Sequence, residues 1–176
     1  MWPLLPLLLI ACQPEVDIPY QGDDALTLGA HAIRVDGQRV LTTDGQLLAD
    51  HVYTPPVAST THLCAADEAT DGLGQLRCWD ADLHPIQLAV GGRPGRLAIQ
   101  DGTVAWVASP EGLPQVFVAP IDGSAPPRAL TNVGLKRVLG QAPEGWVPPP
   151  LRQSLHFDGD YLRWDAPEGP QSVKWR

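Results

Sequence analysis

Apolar residues in this chain come in short runs, cut at regular intervals by turn-forming residues. Residues 101–131 show the rhythm: DGTVAWVASPEGLPQVFVAPIDGSAPPRALT sets two apolar stretches between Asp101-Gly102, Pro110-Glu111-Gly112 and Asp122-Gly123-Ser124. Runs of this length suit strands and are too short for helices. A two-residue hairpin turn needs positive φ, which Gly adopts freely and Asp tolerates, so Asp-Gly between apolar runs marks a corner of antiparallel strands. From Thr103 to Ala108 apolar residues dominate both sets of alternate positions, the pattern of a strand covered on both faces.

The pattern repeats. Aligned without gaps, DGTVAWVASPEGLPQVFV from Asp101 matches DGDYLRWDAPEGPQSVKW from Asp158. A weaker copy, THLCAADEATDGLGQLRCWDADLHPIQLAV from Thr61, keeps the order strand, turn, strand, turn, strand, and HAIRVDGQRVLTTDGQLLADHVY extends it toward the start of the chain. Self-similarity of this kind means units that bury their apolar sides only against neighbours.

The residues Asp101-Gly102, Ala105-Trp106-Val107, Ser109, Gly112, Val116-Phe117-Val118, Asp122-Gly123 and Arg128-Ala129-Leu130-Thr131 resemble the repeat of TolB-type β-propellers. That unit closes on Arg-x-Leu-Thr. The resemblance covers one unit well, extends in part beyond Asp158 and is faint before residue 90; Ile99-Gln100 and Phe157 stand where the family has Ser-Pro. It implies an all-β fold, a small propeller-like array of about four short antiparallel sheets, and a surface for binding or scaffolding, since propellers host many unrelated activities. Units begin near Ala30, Val57, Arg93 and Arg137, and the last reaches Trp175 on its third strand. The segment ALTLGA, Ala25 to Ala30, is a candidate for the missing fourth strand, which would close the ring; the alternative is an incomplete or open, curved array.

The first twelve residues, MWPLLPLLLIAC, form a short apolar stretch after which the chain turns polar. Leu9-Ile10-Ala11-Cys12 resembles the lipobox of bacterial lipoproteins, in which a peptidase cuts before the cysteine and the thiol carries a diacylglyceryl group. The stretch lacks Lys and Arg and contains Pro3 and Pro6, so a cleaved signal or a wrongly assigned start are the competing readings. The domains expected are a signal peptide at 1–11, a tether at 12–24 and the β domain at 25–176. Gln13 after the cysteine resembles outer-membrane sorting, which gives a lipid-anchored envelope protein facing the periplasm or the outside. Cys64 and Cys78 flank the Asp71-Gly72 turn, where the strands of a hairpin would bring them opposite one another; an exported compartment would oxidise the pair to a disulfide, against the alternative of two buried thiols.

Composition narrows the function. With 20 Asp and Glu against 12 Lys and Arg the chain carries a net charge of −8, which repels phosphate backbones and argues against nucleic acid as a partner. The 17 Gly and 19 Pro make turns frequent without reaching a disordered composition. The five histidines, at 31, 51, 62, 84 and 156, lack close helical spacing, and Asp80-x-Asp82 and Asp158-x-Asp160 read as turn formers, so no metal or other cofactor is expected. No G-x-S-x-G or phosphate-binding loop occurs. Trp79, Trp106, Trp164 and Trp175 fall in expected strands and read as core, while Trp146 lies before Pro148-Pro149-Pro150 in a connector and is the candidate contact for a ligand or partner. These observations favour a non-catalytic envelope lipoprotein that binds a protein partner or scaffolds a complex. An extracytoplasmic carbohydrate-binding module and a hydrolase with a spatially assembled site are the alternatives.

Overall fold

The structure, a computed structural model, describes residue 22 and residues 25–68, 74–90, 92–109, 115–131, 155–166 and 169–176. Cys12, Trp146 and the three consecutive prolines lie outside the described residues. Fifteen strands form four antiparallel sheets, with no helix among the described residues. The first sheet contains β1 (Ala25–Leu28), β2 (His31–Asp36), β3 (Arg39–Thr42) and β4 (Leu47–Ala49). The second contains β5 (Val57–Ala58), β6 (His62–Glu68), β7 (Gly74–Asp80) and β8 (Pro85–Leu88). The third contains β9 (Gly95–Gln100), β10 (Thr103–Ala108), β11 (Gln115–Pro120) and β12 (Arg128–Ala129), and the fourth β13 (His156–Asp158), β14 (Tyr161–Ala166) and β15 (Gly169–Lys174).

Each sheet is a meander whose strands pair in chain order, so only local turns are needed to build it. At the β9–β10 turn Asp101 and Gly102 have φ of 49° and 71°, the two positive values of a type I′ corner. The last repeat solves the same problem one residue later: Asp158 pairs with Tyr161, so the two-residue turn is Gly159-Asp160, with Gly159 at φ 59°. The gapless alignment set Trp106 against Arg163. In the structure Trp106 and Trp164 are instead the fourth residues of β10 and β14, and both are buried.

The sheets stack in chain order. Leu28, Ile33, Val40 and Leu48 of the first pack with Leu63, Ala65 and Trp79 of the second. The other face of the second sheet, with Cys64, Ala66, Leu76 and Cys78, meets Leu97, Val104, Trp106 and Ala108 of the third. Ala98, Ala105, Val116 and Val118 then meet Leu155, Leu162, Trp164 and Trp175. Each large apolar side chain so buried contributes about 1.5–3 kcal/mol. The leading strands lie against one another in succession, β1 on β5, β5 on β9 and β9 on β13, which is the arrangement of a propeller-like array.

The array is open. No core cluster joins the fourth sheet to the first among the described residues, and β13 and β1 share no contact comparable to those between the other leading strands. ALTLGA does not close a ring: Ala25–Leu28 pairs with β2 in its own sheet, Leu28 opposite His31 across the Gly29-Ala30 turn. A two-residue hairpin costs far less loop entropy than pairing with a strand more than a hundred residues away.

The Arg128-Ala129-Leu130-Thr131 motif has a mechanical reading. Arg128 and Ala129 pair with β11, and the buried Thr131 hydroxyl accepts a hydrogen bond from the Val116 N–H at 2.9 Å, satisfying a donor that the short β12 does not reach. The Arg128 guanidinium donates to the Trp175 carbonyl at 2.5 Å, tying the third sheet to the fourth.

Candidate functional site

In a four-stranded meander, the chain enters the leading strand at the same end as the turn between the second and third strands and the exit of the fourth. All links between sheets therefore emerge at one rim, the connector rim, and the remaining turns at the opposite rim. Gly22, ahead of β1, makes an antiparallel bridge to Gly37 in the β2–β3 turn, which puts the approach to the first sheet on the connector rim. The link from β4 follows: Val52 N–H donates to the Gln38 carbonyl at 2.9 Å.

This link builds the site. Val52 bridges to Asp67, Glu68 N–H donates to the His51 carbonyl at 3.3 Å and Tyr53 N–H to the Ala66 carbonyl at 3.2 Å, so residues 51–53 extend the edge of β6 before β5 begins. His51 adopts φ 57°, an uncommon value for a non-glycine residue, as the chain turns onto that edge. Two polar groups then flank the second sheet at its connector end.

Toward the first sheet, the fully buried Asp67 accepts from Arg77 on β7, from Nε at 3.4 Å and from Nη2. The register explains the pair: Asp67 lies opposite Gln75 and Ala65 opposite Arg77, so acid and base are diagonal neighbours on one face. Arg77 also lies 5.9 Å above the Trp79 ring. Burial pushes the Asp67 carboxyl above its ordinary value, against the pull of the Arg77 hydrogen bond and charge.

Toward the third sheet, the Tyr53 ring packs on the core under Arg93, whose guanidinium lies 4.1 Å above it. Burial raises the Tyr53 phenol, with the Arg93 charge opposing. Gly74, at the start of β7, is what lets these groups close in: a Cβ there would stand 2.5 Å from the Tyr53 hydroxyl and 2.6 Å from Arg93 Cγ. Among the described residues, Tyr53 Oη and Thr54 Oγ1 are both shielded from solvent without a hydrogen-bond partner. Buried polar atoms of this kind are rare because each costs about 1–3 kcal/mol. The Tyr53 hydroxyl, beside an arginine, can donate to a carbonyl, carboxylate or hydroxyl of a bound group.

Cys64 and Cys78 face each other across β6 and β7 in a disulfide, with Cα atoms 4.0 Å apart and both residues fully buried. It staples the hairpin that carries Asp67 and Arg77. Trp79, Trp106, Trp164 and Trp175 are all core residues. Asp80 is a turn former, its carboxylate accepting from the Asp82 and His84 N–H groups at 3.0 and 2.8 Å. Among the described residues no cluster of three His, Cys, Asp or Glu is placed to hold a metal ion, and no helix is long and apolar enough to cross a membrane. The Thr61 hydroxyl lies 2.9 Å from His62 Nδ1, but the pair sits in the exposed β5–β6 turn, where the Ser59 hydroxyl accepts from both residues' N–H groups.

Tyr53, Thr54, Asp67 and Arg77 escaped the sequence reading. An acid inside the apolar run HLCAADE was a signal, because a strand buried on both faces takes a carboxylate only with a partner.

No protein-family model matches the chain, and no curated protein matches it. Among solved structures, a chain in the crystal structure of a nidogen/laminin complex is similar at 15% identity and a TM-score of 0.49, over 77% of this chain and 51% of that one. The protein thus spans about half the length of that chain.

Proposed function

We propose that the protein is a non-catalytic envelope lipoprotein, anchored through Cys12, whose propeller-like domain binds a partner at its connector rim. One observation carries the binding role: among the described residues the shielded Tyr53 hydroxyl has no hydrogen-bond partner, and its ring lies under Arg93 on a scaffold braced by the Cys64–Cys78 disulfide. A site on strand ends and short links is held rigidly, which lowers the ordering cost of binding. The anchor reading rests on the Leu9-Ile10-Ala11-Cys12 motif and its TolB-like company.

Photo-crosslinking in intact envelopes tests the reading. A benzophenone amino acid at Gln75, beside the site, should give a discrete adduct that weakens with Tyr53→Phe combined with Arg93→Ala. The same probe at Ser124, on the opposite rim, should not. Adducts from Ser124 alone would overturn the assignment. Metabolic labelling with a palmitate analogue should mark the native chain and spare Cys12→Ala.

A further inference from the structure

We propose that the open edge of β15 is a docking slot for an extended segment of another protein, which pairs antiparallel to it as the fourth strand of the fourth sheet. The slot lies apart from the connector-rim site and does not rest on it. The first three sheets end on short outer strands, β4 of 3 residues, β8 of 4 and β12 of 2, which is one way sheets blunt an edge. In the fourth sheet the six-residue β15 is itself the outer strand, and among the described residues no strand lies beyond it.

The register shows what this edge offers. Trp175 N–H donates to the Asp160 carbonyl at 3.0 Å, so the backbone of residue 175 turns toward β14. Backbone groups alternate in direction along a strand, so the N–H and C=O of Ser172 and Lys174 and the C=O of Pro170 point away from β14, and all three residues are exposed. The third sheet has the same alternation: Ile121 N–H donates to the Gly102 carbonyl at 2.8 Å, which leaves Val116 and Val118 pointing outward. Those are the positions that β12 takes. Val118 pairs with Arg128, and the Val116 carbonyl accepts from the Leu130 N–H at 2.8 Å. Counted from the hairpin, Val118 corresponds to Ser172 and Val116 to Pro170. Pro170 has no N–H, so the donor that Thr131 satisfies in the third sheet does not exist in the fourth. Pro170 and Lys174 also flank the slot, residues that keep an edge from pairing without limit.

The occupant is a single segment and not a second copy. Because β9 lies on β13, the sheets stack from their leading strands, and the third, one strand wider, carries β12 past β15. Arg128 of β12 donates to the Trp175 carbonyl just after β15. Two-fold pairing of β15 with itself would drive each copy's projecting β12 into the other's third sheet, whereas a lone strand fits beneath it. Gln171 shares a face with Val173, which packs on the third sheet, so the incoming residue opposite Gln171 lies on the side of half-buried Leu130 and suits an apolar side chain. The residue opposite Lys174, three positions earlier, stands on the solvent face, where an acid would pair with the ammonium.

The test titrates the isotope-labelled full chain, disulfide formed, with a synthetic peptide, Glu-Val-Thr-Leu-Thr flanked by serines, and follows amide hydrogen exchange. In register its glutamate meets Lys174, its central threonine Ser172 and its leucine Gln171. The Ser172 and Lys174 amides should slow several-fold at millimolar peptide, while those of Gln171 and Val173, already turned toward β14, should change little. A peptide N-methylated on the central threonine, whose N–H faces Ser172, should protect nothing; one N-methylated on the leucine, whose N–H faces away, should still protect. Ser172→Pro removes an outward donor and leaves the pairing with β14, so it should abolish the effect, and the methylated peptides carry the test if that variant does not fold. Ser172 and Lys174 amides protected before peptide is added would show the edge filled by this chain or, where protection rises with protein concentration, by a second copy; either overturns the proposal. So would a lack of alternating protection, or protection by the peptide methylated on its central threonine.

Discussion

Strand β6 of the second sheet and strand β14 of the fourth both have neighbours on either side, yet they meet solvent differently. In β6 five successive residues, Leu63 to Asp67, are buried, because the sheet packs on the first sheet with one face and on the third with the other. In β14 buried Leu162 and Trp164 alternate with exposed Tyr161, Arg163 and Asp165. The first sheet alternates in the same way: Ile33 and Val35 point inward, while Arg34 and Asp36 face solvent with side chains 56% and 48% exposed. The two inner sheets thus read as continuously apolar and the two outer ones as amphipathic, as expected for the capping units of a stacked array. Placing another sheet against Arg34, Asp36 and Arg39, or against Asp158 and Arg163, would strip charged groups of water. Openness of the array is therefore written in side chains as well as in backbone contacts.

The comparison can be broken most directly in the inner sheets. Trp106, fully buried and stacked on Phe117 with ring centroids 5.8 Å apart, lies between the second and third sheets. Trp106→Ala should cost about 3–5 kcal/mol by denaturant unfolding; a loss below 1 kcal/mol would mean that the inner interface is loose. Removing the disulfide with Cys64→Ala and Cys78→Ala should cost on the order of 3 kcal/mol for a loop of this size, measured in the same way.

Asp67→Ala leaves the Arg77 guanidinium, with a side chain 31% exposed, beside an empty carboxylate position. We expect a loss of about 2 kcal/mol, less than the ~3–5 of a fully buried pair because Arg77 reaches water. Calorimetry showing a stabilised variant would make the pair a net burden on the fold.

Acid separates the two kinds of sheet by sign. Arg176 bridges to Asp101 at 2.5 Å and stacks over Trp175, clasping the fourth sheet to the third. The Arg176 hydrogen bond, then that of Gln100, holds the Asp101 carboxyl below its ordinary value. A carboxylate lowered in the fold supplies stability above its unfolded pKa and loses it as pH falls through the folded value, a window below about pH 4. Asp67 has the opposite sign: its ionised form is disfavoured in the fold, so protonation on acidification relieves a cost. Hydrogen exchange below about pH 4 should accordingly speed up in β13 to β15 relative to β6 and β7, and Arg176→Ala should weaken that acid dependence. Simultaneous loss of protection would contradict the contrast. The smallest effect belongs to the outer faces: Ser172→Glu on β15 should change stability by no more than about 0.5 kcal/mol, and a larger thermal shift would show that this face is covered.

Most of the architecture was legible because it is local. Short apolar runs between Asp-Gly corners gave the strands, and the cysteines flanking Asp71-Gly72 gave the bonded pair. The tryptophans of the repeat gave the core. What escaped depends on geometry that a linear pattern does not carry. The last repeat turns at Gly159-Asp160 where its counterpart turns at Asp101-Gly102, a slip of one residue that reassigns every side chain of β14. The role of ALTLGA turned on whether a two-residue hairpin at Gly29 outcompetes a distant edge. The rim site draws Tyr53 and Thr54 from a link between sheets, Asp67 and Arg77 from diagonal positions, and Arg93 from the next link. Only the Cys64–Cys78 register, once fixed, brings Ala65 opposite Arg77 and so Asp67 within its reach.

The alternation of Arg34 and Asp36 with Ile33 and Val35 also bears on how such a chain can change length over generations. A duplicated unit spliced between the second and third sheets would find greasy walls on both sides, whereas one appended beyond the first or the fourth would have to sit on guanidinium groups. Growth is permitted from the middle and resisted at the margins.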